Sequence, residues 1–286
     1  MQIPGPAPIV VGVTGTAASL VAVRLGAREA VARGQPLRIL HAFSWPGPRH
    51  TDDPPDYASA RHRADMIVQQ AVATATRSVP GVRASGLLVD GQPVRELLRQ
   101  SRTAALIVLA DDDLASSPRL PDDSVLVQTV ARARCPVVVA RGVRPPAGPL
   151  IVAIDRSTCA VGALRLAAAE AQRRHVGLEV VHVVPGAAEA AAGRRLLEAA
   201  VRQVGELATA RTRLLTGEPG PTLVRASRSA RMMIVGPRGT DSGSLLGAVA
   251  GELLRRCACP TMFVHGIPAP PGRENGTVPS ADALIS

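Results

Sequence analysis

The most constraining feature of this chain is an internal duplication with an offset of 141 residues. Residues 8–16 align with residues 149–157. The short segment Leu40–Ala42 aligns with Val181–Val183 at the same offset. Solenoid proteins repeat units of roughly 20–50 residues, so a repeat of this length indicates a duplicated domain. The fold must therefore be one that a stretch of about 140 residues can form on its own, twice in succession.

Landmarks further along each half repeat as well. Gly91-Gln92-Pro93 corresponds to Gly217-Glu218-Pro219, and Cys135-Pro136 corresponds to Cys259-Pro260. The segments between and after the halves are rich in Pro and Gly, which is typical of linkers and disordered tails. We expect a first domain at residues 1–142, a linker at 143–149, a second domain at 150–266 and a disordered tail at 267–286.

Basic residues dominate the charge of the chain but form no cluster. The net charge is +10, and every one of the 33 basic residues is Arg. This surplus fits either a surface for phosphate or nucleic acid, or a compositional preference for Arg over Lys. The arginines form no run of five or six, and the aromatic residues on which bases would stack make up 1% of the chain. We therefore do not expect a nucleic-acid partner.

Cysteine usage and the apolar segments predict a cytoplasmic protein. Four cysteines without a paired framework argue against a secreted, disulfide-stapled protein. Cys257 and Cys259 leave two alternatives open, a metal or redox site or two buried thiols. The first residues lack a basic and apolar leader. No apolar run approaches the roughly 18 residues of a membrane span, so no membrane partner is expected.

Short apolar runs alternate with helical patterns in both halves. The runs Ile9–Val13 and Leu150–Ile154 lack a period of two, which is typical of strands buried on both faces of a parallel sheet. In the second half we predict a helix from about Ala187 to Ala210, a strand at Thr212–Leu215 and a helix at Thr222–Ser229. The alternation predicts an α/β fold, in which ligands bind at the carboxyl ends of the strands.

A glycine-rich segment follows the fourth strand of the second half. Gly236 and Gly239 flank Pro237-Arg238, and Gly247 precedes a helical pattern. Glycines allow backbone N–H groups to approach a phosphate closely. A helix that begins after Gly247 would direct its positive end at the same anion. By itself the pattern also fits a plain turn.

Several short motifs occur together and in order. They are Val152-Ala153-Ile154-Asp155, His182-Val183, Gly217-Glu218-Pro219, Val235-Gly236-Pro237-Arg238-Gly239 and Cys259-Pro260-Thr261-Met262-Phe263-Val264. Together they resemble the universal stress protein family, and the duplication resembles its tandem two-domain type, which is frequent in actinobacteria. The resemblance implies two tandem Rossmann-like domains (adenine nucleotide alpha hydrolase-like), each with a five-stranded parallel sheet flanked by helices. It also implies that the halves pack through their closing strands as a pseudo-dimer within the chain.

The resemblance further implies a set of nucleotide-contacting residues in the second half. Some family members bind ATP through Gly-x2-Gly-x9-Gly-Ser/Thr, whereas others lack the motif and do not bind it. The matching positions here are Ala153, Asp155, Val183, Gly236, Arg238, Gly239, Gly247, Ala248 and Val249. Ala153 and Val183 would line the adenine pocket, and Asp155 would contact the nucleoside.

Two departures separate the second half from the family motif. Seven residues rather than nine lie between Gly239 and Gly247. Ala248 replaces the Ser or Thr whose hydroxyl would bind a phosphate.

The first half keeps the spacing of the motif but loses its glycines. Ala110, Asp113 and Asp123 stand at the three glycine positions, and Ser124 is retained. Thr14 replaces the acidic residue after the first strand. Carboxylates at residues 111–113 would repel a phosphate, so we expect no ATP there unless a divalent cation bridges. A solvated acidic loop is the alternative to such a cation site.

These observations predict a non-enzymatic stress-response protein without catalytic residues, whose second half binds one ATP weakly, with Mg²⁺. The alternative is a nucleotide-independent adaptor or scaffold in which both sites are vestigial. An ATP hydrolase would need a placed base and a metal ligand, and Asp155 is the candidate for that role in the second half. His41 and His182 fit either a base or, since no nucleophile elbow accompanies them, hydrogen-bonded strand histidines. An unidentified protein partner and a homodimer are further expectations.

Overall fold

The computed structural model describes residues 6–45, 56–111, 120–142, 147–203, 210–238 and 245–265. The predicted tail, residues 143–146 of the predicted linker, Asp112, Asp113 and Gly239 lie outside the described residues. The domain boundaries given above remain predictions.

Ten strands form one continuous sheet. In chain order they are β1 (Ile9–Gly12), β2 (Leu37–Phe43), β3 (Ala84–Asp90), β4 (Leu106–Ala110), β5 (Val137–Ala140), β6 (Leu150–Ala153), β7 (Leu178–Val184), β8 (Ala210–Thr216), β9 (Met232–Val235) and β10 (Thr261–Phe263). Their order across the sheet is β3-β2-β1-β4-β5-β10-β9-β6-β7-β8, so each half contributes five neighbouring strands. The pairings within each half are parallel, which confirms the predicted α/β class.

Helices cover both faces of this sheet. They are α1 (Ala17–Arg33), α2 (Tyr57–Ser78), α3 (Pro93–Gln100), α4 (Val125–Arg132), α5 (Thr158–Arg174), α6 (Ala190–Gln203), α7 (Pro219–Ala226) and α8 (Ala248–Arg256). Ile9 and Val11 of β1 lie in one core cluster together with Val23 of α1. Val10, between them, lies in the opposite cluster with Leu126 of α4. Both faces of the strand are buried, which explains the absence of polar alternation in the sequence.

The second half departs from the prediction between β7 and β9. The predicted helix at Ala187–Ala210 was wrong at both ends. A 3-10 turn at Ala187–Glu189 precedes α6, and Ala210 is already the first residue of β8. The strand is therefore longer than the predicted Thr212–Leu215. After Ala210 come Arg211, Thr212 and Arg213, which are polar and exposed because β8 lies at the sheet edge, so they carry no apolar signal.

The next helix also begins earlier than predicted. α7 starts at Pro219 rather than Thr222, and Ser227–Ser229 form a separate 3-10 turn. Proline suits the first turn of a helix, because the N–H that it lacks has no partner there.

The two halves join where β5 pairs antiparallel with β10. The opposed residues are Val139 with Thr261, Val138 with Met262, and Val137 with Phe263. All six are fully buried. The chain therefore has the pairing through its closing strands that the family resemblance implied. We call this junction and the side chains that cross it the seam.

A buried ionic network crosses the seam at the ends of α1 and α5. Arg174 Nη2 donates to both carboxylate oxygens of Glu29, at 2.7 and 2.8 Å. Arg33 Nη2 donates to Glu170 Oε1 at 2.6 Å, which is the reciprocal contact. Arg173 adds a third guanidinium beside both carboxylates. Both glutamates are 2% exposed, so each half neutralises a carboxylate that the other half buries.

A second pair of side chains crosses the seam at the ends of the closing strands. Arg141, after β5, donates from Nη1 to the Cys257 carbonyl at 2.6 Å and from Nη2 to the Leu254 carbonyl. These carbonyls end α8, where a cation is favoured. His265 occupies the corresponding position after β10 and packs near the carbonyls of Val130 and Ala131 in α4. The seam therefore carries the permanent positive charge of Arg141 from the first half and the titratable imidazole of His265 from the second half.

The ionic network yields a stability prediction. Glu170→Ala leaves three arginines facing one carboxylate in a buried setting, and we expect it to lower the free energy of unfolding by about 3–5 kcal/mol. The matched control is Arg61→Ala, which breaks the exposed pair with Asp90 and should cost less than about 1 kcal/mol. Urea denaturation followed by circular dichroism measures both. Equal losses in the two variants would contradict the role assigned to the network.

His265 yields a prediction about pH. Burial lowers the pKa of His265 below its ordinary value, and the positive charge of Arg238 acts in the same direction. The unfolded chain then takes up the proton more readily, so the contribution of His265 to stability is present above about pH 6.5 and is lost as the pH falls. We expect His265→Gln to lose less stability than the wild type between about pH 7.5 and about pH 5.5. Parallel pH profiles of the two proteins would refute this.

Candidate functional site

A cavity of about 390 Å³ lies at the carboxyl ends of β6, β7 and β9, against the start of α8. Its walls include Val181, Leu223 and Val235, which are apolar, and its mouth carries Asp155 and Arg238. This is the edge at which an α/β sheet binds ligands, because the loops that follow parallel strands converge there.

Eight of the nine residues predicted for the second-half site line this one cavity. They are Ala153, Asp155, Val183, Gly236, Arg238, Gly247, Ala248 and Val249. The ninth, Gly239, lies outside the described residues. These residues come from four segments of the chain, at 153–155, 183, 236–238 and 247–249, which the crossovers of the second half bring together.

Asp155 is held in a defined orientation at the mouth of the cavity. Its Oδ1 accepts the N–H of Ser157 at 2.9 Å and the hydroxyl of Ser157 at 2.5 Å. Ser157 stands at the N-cap of α5 without capping the helix through its side chain. Sequence analysis missed this contact, although an Asp two residues before a Ser is a signal for such an Asx turn.

Gly236 is required by close packing rather than by its backbone angles. A Cβ at this position would lie 2.9 Å from Cys159 Cβ of α5 and 3.4 Å from the carbonyl oxygen of Arg238. The corner between β9 and the loop that follows it therefore packs directly against α5.

The start of α8 presents backbone donors to the cavity. Gly247 is the N-cap and makes no side-chain capping bond. Its own N–H donates to the Pro237 carbonyl at 3.0 Å, which joins the two ends of the shortened loop. The N–H groups of Ala248, Val249 and Ala250 have no partner within the helix, since the first turn of any helix leaves them free. All three residues line the cavity, so the positive end of α8 points into it.

Arg238 adds a full positive charge beside that helix end. Its Nε donates to the Leu245 carbonyl at 3.4 Å, and the side chain is exposed. The guanidinium therefore lies close to the N-cap of α8, where it can add charge-assisted hydrogen bonds to an anion.

The strand histidines have the same contact in both halves. His182 Nδ1 lies 2.8 Å from the Ile154 carbonyl, and His41 Nδ1 lies 2.8 Å from the Val13 carbonyl. A carbonyl only accepts, so Nδ1 carries the proton in both rings. This is the hydrogen-bonded alternative of the sequence analysis, in which each ring ties the second strand of its half to the loop after the first.

The corresponding pocket of the first half is smaller, and a side chain caps the helix beside it. It measures about 200 Å³. Ser124 caps α4 by accepting the Val127 N–H at 3.5 Å, so the retained hydroxyl serves its own helix. Thr14 bonds to the hydroxyl of Thr16 at 3.0 Å, and Asp111 faces Arg141 Nε at 3.7 Å.

Two findings bear on the remaining alternatives. Among the described residues, no group of three or more His, Cys, Asp and Glu side chains is placed to hold a metal ion. Within the same part of the chain, no helix is both long and apolar enough to cross a membrane.

Comparisons with known proteins agree with the fold and with the duplication. A relative from Mycolicibacterium smegmatis, described as a universal stress protein, is 28% identical over 284 residues and covers 90% of this chain and 96% of its own length. A universal stress protein of Mycobacterium tuberculosis is 31% identical over 147 residues, which is 49% of this chain and 47% of that protein. The crystal structure of a universal stress protein from Archaeoglobus fulgidus shares the fold, with a TM-score of 0.71, 17% identity, and coverage of 90% of this chain and 95% of that one.

The family model of the universal stress protein family matches twice, at residues 7–141 and at residues 147–265. The two matches span the sheet, the seam and the cavity described above, and the chain belongs to the universal stress protein family.

Proposed function

We propose that the protein is a non-catalytic, nucleotide-responsive stress protein whose second half binds one ATP with Mg²⁺. The observation that carries this proposal is the open N-terminus of α8, which meets Arg238 at one end of an otherwise apolar cavity of about 390 Å³. A nucleotide matches that polarity, because it has an apolar, stackable base at one end and phosphates at the other.

The phosphate end of the ligand belongs at α8. Free backbone N–H groups and the helix dipole together form an anion site, and Arg238 adds charge-assisted bonds to phosphate oxygens. Asp155 would accept hydrogen bonds from sugar hydroxyls, because its carboxylate already faces the mouth in a fixed orientation. Ala153 and Val183 supply the apolar wall for the base.

The first half lacks these properties, which supports a stoichiometry of one. Ser124, the N-cap of α4, accepts the Val127 N–H, so one N–H group fewer remains for an anion. The pocket has about 200 Å³ of space, and the loop beside it begins with Asp111. A negative side chain next to a phosphate raises the free energy of the complex.

The same site supports binding without turnover. Of the described residues that line the cavity, Asp155 is the only carboxylate. Because Asp155 is assigned to the sugar hydroxyls, Mg²⁺ would enter with the nucleotide, held by its phosphates and by water. Occupancy of the site would then bias conformation or the choice of a protein partner, and a homodimer remains an expectation.

Ala248 offers a direct test of the phosphate site. Ala248→Ser restores a hydroxyl at the first residue of α8, and we expect about fivefold tighter binding of ATP-Mg²⁺, equivalent to one hydrogen bond of about 1 kcal/mol. Ala248→Asp places a carboxylate where the phosphate would lie, and we expect more than about tenfold weaker binding. An acidic residue favours the first turn of a helix, so this variant should remain folded. Isothermal titration calorimetry measures both.

The control is Ala248→Asn, which has the size of Asp without its charge and separates repulsion from crowding. Equal loss in the Asn and Asp variants would place the phosphates elsewhere. An absence of binding heat in the wild type would favour the nucleotide-independent adaptor, with both sites vestigial. Two bound nucleotides per chain would show that the first half also binds.

A further inference from the structure

Two thiols of the second half lie in contact at the end of α8. The Sγ atoms of Cys257 and Cys259 are 3.8 Å apart. Cys257 is the C-cap of α8, and Cys259 precedes Pro260 and β10. The residues are 4% and 0% exposed. The structure thus brings together a pair that the sequence left open between a metal or redox site and two unrelated buried thiols.

The surroundings of the pair distinguish its two sulfur atoms. The pKa of Cys257 is lowered to about 6, because the Cys259 thiol donates a hydrogen bond to its sulfur. The pKa of Cys259 is raised, because it supplies that hydrogen bond and because it is buried. Cys257 is therefore the sulfur whose ionisation its neighbour favours, and Cys259 is the adjacent thiol. This is the arrangement of an attacking cysteine beside a resolving one.

A metal is the weaker alternative for this pair. Zinc sites in proteins have three or four protein ligands. The part of the chain that the structure describes places no third His, Cys, Asp or Glu side chain with the two thiols. Two sulfur atoms in contact without a further ligand instead suit chemistry that joins them to each other.

The first half provides an internal contrast. Ala133 stands at the position of Cys257, and Cys135 stands at the position of Cys259. Burial raises the pKa of Cys135 to about 12, so its thiol stays protonated and unreactive. At these two aligned positions, the first half therefore has one inert thiol and the second half has a pair of thiols.

We infer that Cys257 and Cys259 are a reversible oxidation site that reacts with small hydroperoxides to form a disulfide between them. The Cys257 thiolate attacks one oxygen of the hydroperoxide, the O–O bond breaks, and the released oxide takes a proton to leave as water or alcohol. Cys257 is then a sulfenic acid. The Cys259 sulfur attacks it and loses its proton, the S–S bond forms, the S–O bond breaks, and hydroxide takes that proton to leave as water. Two thiols lose two electrons in total, and the hydroperoxide gains them.

Burial determines which oxidants can react. Cys257 is 4% exposed, and hydrogen peroxide, which is only slightly larger than water, is the oxidant that such burial excludes least, whereas a bulky aromatic disulfide reagent is excluded. The class of reactant is therefore a small peroxide rather than another protein thiol.

Disulfide formation would act on the seam. The two sulfur atoms must approach from 3.8 Å to about 2.05 Å, so the side chains or the backbone of residues 257–259 have to move. The carbonyl of Cys257 accepts the bond from Arg141 of the first half, and the N–H of Ala258 donates to Ser227 Oγ at 2.9 Å. Both contacts are made by this backbone, so a disulfide that displaces it would also disturb the contact of Arg141 with the end of α8.

Peptide mapping of the full-length folded protein tests the proposal. Trypsin cleaves after Arg256 and Arg273, which releases Cys257 and Cys259 in one peptide, while Cys135 lies in another that follows Arg134. After treatment with hydrogen peroxide and alkylation of the remaining thiols, we expect the first peptide to lose two hydrogens and escape alkylation. Reductant should reverse the change. Oxidation of Met262 in the same peptide adds an oxygen and is distinguished by mass.

The Cys135 peptide is the control, and we expect its thiol to be lost at least about tenfold more slowly. Cys257→Ser and Cys259→Ser should each abolish the loss of two hydrogens, but the wild-type map stands even if a variant fails to fold. The proposal would be overturned if Cys257 and Cys259 remained reduced after the peroxide treatment and were alkylated once urea had unfolded the chain. Sulfinic acid at either position, without a disulfide, would overturn it as well.

Discussion

The antiparallel pairing of β5 with β10 is the interaction on which the rest of the structure depends. Without it, β5 and β10 would each be an edge strand with one row of backbone N–H and C=O groups left unpaired, although the side chains of both strands are fully buried in the joined sheet. The pairing also brings the ends of α1 and α5 close enough for Glu29 and Glu170 to be neutralised by the opposite half. The pairing of β5 with β10, the burial of apolar side chains and the ionic network therefore stabilise one another, and neither half has all three alone.

Within this shared frame the two halves differ at a few positions that decide what each can bind. The side chain of Ser124 caps the first turn of α4, whereas Gly247 has no side chain with which to cap α8. Thr14 bonds to a neighbouring hydroxyl, whereas Asp155 holds a carboxylate at the mouth of its cavity. Small local changes at the carboxyl edge of the sheet thus give the two halves different pockets, without any change in the order of the strands.

Much of this could be predicted from the sequence, because the signals are local. The uninterrupted apolar runs of β1 and β6 required burial on both faces. Eight predicted site residues line one cavity because each lies at or just after the carboxyl end of a strand, or at the start of α8. The start of β8 was missed because an edge strand needs no apolar residues on its exposed side. The contact of Arg141 with Cys257 spans 116 residues and depends on how the halves meet, so no local pattern encodes it.

α8 connects three features that otherwise look separate. Its first residues border the cavity, and its last carbonyls accept Arg141 of the first half beside the Cys257–Cys259 pair. A helix of nine residues is about 14 Å long and moves as a unit. A phosphate bound at its start and a disulfide formed at its end would therefore act on one rigid element. Coupling between two sites is reciprocal, so any effect of the dithiol state on nucleotide affinity requires an equal effect of the nucleotide on the stability of the disulfide.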